Sequence, residues 1–124
     1  MNTPATVSAV FAVVSSAPDV TSQLTATQGV LAFNRGTRRF SQTVTIVNNG
    51  TALAAAAYVI DNLAAGYTMF LPSGVTSLAP PAGSPYNEIG AIGAGTSVTF
   101  AVEFTRVGTP AFTYTPRALG AGSR

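Results

Sequence analysis

Cysteine, histidine, lysine and tryptophan are all absent from this chain of 124 residues. Each absence removes a class of chemistry. Without cysteine there is no disulfide framework and no thiolate. Without histidine or cysteine, Ser-His-Asp and Cys-His catalysis and ordinary zinc sites are excluded. Charge is also scarce: 8% of residues carry one, against about 25% in an ordinary soluble domain. The cations are Arg35, Arg38, Arg39, Arg106, Arg117 and Arg124, and the anions are Asp19, Asp61, Glu88 and Glu103. A net charge of +2 is too small for a nucleic-acid footprint, which needs clustered cations to release counterions. No nucleic-acid partner is expected.

Apolar residues make up 47% of the chain, with 12 Gly and 8 Pro as punctuation. The length suits one domain with one core. Disorder is excluded, because it requires low hydrophobicity and high net charge.

Alternation with a period of two dominates, and no helical stripe is visible. The clearest strand spans residues 97–105. Val98, Phe100, Val102 and Phe104 share one face, opposite Ser97, Thr99, Glu103 and Thr105. Residues 38–48 form the second, with Phe40, Val44 and Ile46 inward. Gln42 falls on the same apolar face, through a bulge or with a partner for its amide at the end of the core. Asn49-Gly50 supplies a turn, since both residues tolerate positive φ. Residues 53–63 are ambiguous: Ala54 to Ala57 favours helix, Tyr58-Val59-Ile60 favours strand, and strand is the reading adopted. Further strands are expected at 20–27 and 30–33, broken at Gly29, and at 67–71, 87–89 and 111–115. In the last, Phe112 and Tyr114 point inward. Residues 72–85, with four prolines, read as a long loop, and 90–95 as a turn. About seven short strands at this spacing predict a sandwich or barrel.

The apolar run at 7–14 carries Val7, Val10, Phe11, Val13 and Val14. It falls well short of the ~20 residues needed to cross a bilayer. No cation precedes it, so a β-segment is favoured over the remnant of an export signal. These five residues are a candidate assembly segment.

Several strings carry a resemblance. They are Asp19-Val20-Thr21-Ser22-Gln23, Phe33-Asn34-Arg35 through Arg39-Phe40 into Gln42-Thr43-Val44-Thr45, and Asn48-Asn49-Gly50. The others are Asp61-Asn62-Leu63, Gly83-Ser84-Pro85-Tyr86, Ser97-Val98-Thr99-Phe100 with Glu103-Phe104, and Tyr114-Thr115-Pro116-Arg117. In this order they resemble the immunoglobulin-like or fibronectin-like modules of exported bacterial proteins. The resemblance covers residues 19–119. Ala94-Gly95 departs from a common Pro-Gly, and Thr105-Arg106 from a common Asn-Pro. It implies an all-β, immunoglobulin-like antiparallel β-sandwich that is extracellular or on the cell surface and non-enzymatic. It carries over no site residues.

The expected organisation is an apolar extension at 1–18, the sandwich at 19–120 and a tail at 121–124. The four acids are expected on the solvated surface, and Asp61, Asn62 and Asp19 are too thin a ligand supply for calcium. No catalytic residue, metal or cofactor is expected. Arg35, Arg38 and Arg39 form the one basic cluster, a candidate patch for an anionic partner against the plainer role of guarding a sheet edge. The leading expectation is a structural or adhesive module. The alternative is a self-assembling, pilus-like filament subunit whose N-terminal segment adds a strand to a neighbour, and a carbohydrate-binding module is a further one. Expected partners are protein, through self-association or neighbours in the parent chain, and cell-surface glycan.

Overall fold

A computed structural model of the chain describes residues 16–124. A short 3-10 turn, Thr21–Gln23, precedes nine strands among these residues: β1 Leu24–Gln28, β2 Ala32–Asn34, β3 Arg39–Asn48, β4 Leu53–Asp61, β5 Tyr67–Met69, β6 Gly74–Val75, β7 Pro85–Ile92, β8 Ser97–Arg106 and β9 Thr115–Leu119. One sheet has the order β1-β3-β8-β5, with β2 also on β3, and the other β6-β7-β4-β9. All pairings between these strands are antiparallel. The expected two-sheet sandwich is therefore what forms, with nine strands rather than about seven.

The pairing of β3 with β8 is the spine of the first sheet, running without a break from Phe40 opposite Phe104 to Val47 opposite Ser97. Both strands alternate, so one face enters the core and the other meets water. Val44, Ile46, Val102 and Phe104 are buried there, together with Tyr58 and Ile60 of the second sheet. Gln42 is buried without any bulge. Its amide Nε2 donates to the Gly29 carbonyl at 3.0 Å, and the Tyr114 hydroxyl donates to its Oε1 at 2.5 Å.

β4 is the central strand of the second sheet, and it is buried on both faces. Ala56, Tyr58 and Ile60 face the main core. Ala57 and Val59 face outward but are covered by Ala17, Ala79 and Leu119 in a smaller core. Residues 76–84 lie over that outer face as a third layer. The expected loop at 72–85 is thus a packed one, and it includes the short strand β6, paired with β7. A strand covered on both sides needs no polar alternation, and small alanines let the covering loop approach closely.

Three expectations about turns and strand ends are corrected. Asn49 and Gly50 do not adopt positive φ. The link crosses between sheets, and Gly50 is needed because a Cβ there would stand 2.7 Å from the Gln23 side chain. The strand expected at 87–89 extends over the whole of β7. Gly90, at φ +96°, sits at a register shift against Ala56 and Ala57, so the strand bulges and continues where a turn was expected. The last strand lies at Thr115–Leu119, not at 111–115. Residues 110–114 instead pass from the first sheet to the second, carrying Phe112 and Tyr114 into the core edge as anticipated. Pro116, which has no N–H to donate, is tolerated because β9 is an edge strand.

Candidate functional site

The charged residues are sorted by the fold into pairs and a remainder. Asp61 was expected on the solvated surface, but it is 6% exposed and Arg117 is 7% exposed. They meet because Val59 stands opposite Arg117 in the β4–β9 ladder, which places Asp61 diagonally across on the same outer face. Arg117 Nε donates to Asp61 Oδ2 at 2.6 Å and Nη2 to Oδ1 at 3.2 Å. The Ser84 hydroxyl donates to Oδ1 at 2.6 Å. The remaining guanidinium protons reach the carbonyls of Pro80 at 2.9 Å and Pro81 at 3.3 Å. Burial alone pushes the Asp61 carboxyl up, but the hydrogen bonds from Arg117 and Ser84 and the Arg117 charge outweigh it and hold it below its ordinary value. A carboxylate so held is a poor proton donor or base. Its work is to fasten the 76–84 loop to the sheet.

A second pair fastens the same layer. Arg124 donates through Nε and Nη2 to Glu88, at 3.0 and 2.8 Å, and through Nη1 to the Gly120 carbonyl. Its own carbonyl accepts from the backbone N–H groups of Ser77, Leu78 and Ala79 at 2.9, 3.0 and 3.0 Å. The third pair is Arg39 with Glu103, at 3.4 Å on the wet face of β3 and β8, with the Arg39 guanidinium 3.8 Å above the Phe70 ring.

Of the three arginines anticipated as an anion patch, Arg39 is therefore committed elsewhere. Arg35 and Arg38 stand exposed in the turn between β2 and β3. Arg106, exposed at the end of β8, lies at the same end of the sheet, because Phe104 of β8 stands opposite Phe40 of β3. Its guanidinium lies 4.4 Å over the Phe40 ring, and Phe40 packs at 4.8 Å on Phe33, which is 52% exposed. The turn is well built: Asn34 Oδ1 accepts from Gly36 N and Thr37 N at 2.9 and 3.3 Å, and Arg38 N donates to the Asn34 carbonyl at 2.7 Å. It also holds Arg38 at φ +58°, a left-handed conformation that costs a residue with a Cβ about 1–2 kcal/mol.

The two tyrosines at the core edge form a relay. Tyr114 donates its only hydroxyl proton to Gln42, so Tyr58 donates to Tyr114, at 2.7 Å, and accepts from Gln28 Nε2 at 3.4 Å. Burial raises both phenols above their ordinary value.

The edges of the two sheets differ. Along β9, Val20 N donates to the Ala118 carbonyl at 2.9 Å, and Ala118 N donates to the Thr21 hydroxyl at 2.9 Å. That edge is closed. Along β1, the bonds from Asn49 N to Gln23 O and from Gly29 N to Thr43 O set which residues face β3. Leu24, Ala26 and Gln28 turn their backbone groups the other way, and no strand among the described residues pairs with them. Between the two edges lies a groove of about 190 Å³, lined by Leu24, Ala26, Ile46, Tyr58, Pro116 and Ala118 among others. The candidate assembly residues Val7, Val10, Phe11, Val13 and Val14 lie outside the described residues.

The fold and the charge arrangement define an all-β antiparallel sandwich, compatible with the immunoglobulin-like class, with a strapped third layer. In comparisons with known proteins, the chain matches no family model, no curated protein and no solved structure. Among the described residues no helix is long and apolar enough to cross a membrane.

Proposed function

We propose that the chain is a non-catalytic structural or adhesive module of an exported bacterial cell-surface protein. The observation that carries this reading is where the carboxylates go. Asp61, Glu88 and Glu103 are each engaged by an arginine. Asp19 accepts from Thr21 of its own turn, at 2.9 Å from the backbone N–H and 2.6 Å from the hydroxyl. With histidine, cysteine and lysine absent from the sequence, the groups that ordinarily move protons or attack carbonyls are missing or spent on the fold. The resemblance to modules of exported surface proteins supports the location.

The test is turnover. Incubation of the full chain with glycan, ester and peptide substrates is expected to release no product above the blank. A turnover that disappears in Glu103→Ala or Asp61→Ala would overturn the reading. The second reading, a filament subunit, is favoured by the unpaired outer edge of β1 beside its apolar groove.

A further inference from the structure

We infer that the end of the sandwich formed by Arg35, Arg38, Arg106 and the exposed ring of Phe33 binds a carboxylated polysaccharide. The inference deepens the adhesive reading and rests on it. Six arginines face four acids in this chain. Three arginines are neutralised in pairs with Glu103, Asp61 and Glu88, and Asp19 stands by Leu119 on the edge of the other sheet. The three arginines left over are not scattered. Two lie in the turn that opens β3, and the third ends β8, the strand paired with that same end of β3 through Phe40 and Phe104. The excess positive charge of the described chain is therefore gathered at one end of one sheet.

Two further observations give this end the character of a site. Phe33 is an exposed aromatic held in place by its packing on Phe40, and the Arg106 guanidinium lies over the Phe40 ring. A flat apolar face thus sits beside one planar cation held by its contact with Phe40, with two more exposed in the adjoining turn. The first suits the C–H face of a sugar ring, and the second suits its carboxylate, which guanidinium binds in a bidentate fork. Arg38 also keeps a left-handed backbone that glycine would adopt without strain. The turn uses only the backbone at this position, through the Arg38 N–H to the Asn34 carbonyl, and the side chain makes no hydrogen bond or ion pair among the described residues. Strain of this kind collects where a side chain is needed for binding. A single-stranded nucleic acid is the weaker fit. Its affinity comes from neutralising many phosphates, and three cations neutralise few.

Isothermal titration of the full chain with polygalacturonate oligomers, neutral dextran and oligo-dT tests the inference. Polygalacturonate is expected to bind at low salt and to weaken as salt rises. Dextran should give no heat, and oligo-dT should bind more weakly than polygalacturonate. The combined variant Arg35→Gln, Arg38→Gly and Arg106→Gln should lose at least about tenfold in affinity through its lost charge-assisted contacts. Arg39→Gln should stay within about twofold, because that cation is already paired. Arg38→Gly alone should bind less well while its melting midpoint holds or rises, a combination that a merely structural arginine would not produce. No binding of polygalacturonate, undiminished binding by the triple variant, or tighter binding of oligo-dT would each overturn the inference. Absence of binding by a folded protein removes this site and leaves the non-catalytic reading standing. Release of new reducing ends from polygalacturonate would overturn that reading and this inference with it.

Discussion

Asp61→Ala is expected to destabilise the protein by about 3–5 kcal/mol, the usual cost of leaving one member of a buried ion pair without its partner. Arg117 would keep its charge at 7% exposure, with two proline carbonyls but no carboxylate. The loss should be seen in urea melts as a lower midpoint with the slope retained. Replacing both members together, as Asp61→Leu with Arg117→Met, should recover much of it, since a hydrophobic pair of similar volume avoids desolvating two charges. The same pair sets an acid limb. The Asp61 carboxyl is held below its ordinary value in the fold, so its contribution is fully present above the unfolded value of about 3.9. It is lost as pH falls through the lower folded value. A loss below about 1 kcal/mol in the single variant, the range of exposed pairs, would show that the 76–84 layer does not depend on this clamp.

Phe104→Ala should also cost about 3–5 kcal/mol, as expected for a fully buried phenylalanine. Its ring is 0% exposed and lies 5.0 Å from Phe112 and 6.3 Å from Tyr114. Deletion opens a cavity where β8 meets the chain crossing between the sheets. Phe100, on the same face but only partly buried, should cost less. Thr99→Ala is the control. Its hydroxyl meets that of Thr45 at 3.0 Å on the wet face, and its loss should stay within about 0.5 kcal/mol, as for most surface substitutions. Equal small losses at positions 99 and 104 would mean that β8 presents its other face to the core.

What the sequence made legible follows from which faces meet water. β3 and β8 each have one wet face, so their alternation names the inward residues correctly. β4 is covered on both sides, so its apolar run carries no period, and its alanines read equally well as helix. The strand at 115–119 was hidden by Pro116, which argues against a strand unless the strand is known to lie at an edge. Phe112 and Tyr114 alternate as a strand would, yet they serve a crossing. The candidate patch failed at one residue for a similar reason. Arg39 is adjacent in sequence to Arg38 but already belongs to β3, where it meets Glu103 on the wet face. Arg106 belongs to the patch only through the β3–β8 register. Asp61 and Arg117 stand 56 positions apart, and nothing local to either signals that a proline-rich loop will bury them.

In the proposed reading this sandwich works as a single module, and in the filament reading it is a link in a self-assembled chain. Light scattering of the 124-residue chain at high concentration separates the two most directly, beside a variant lacking residues 1–15. The account predicts a monomer of 12.5 kDa for the full chain, and a correspondingly smaller monomer for the variant. Oligomers that grow with concentration and vanish when residues 1–15 are removed would contradict it and establish strand exchange between copies.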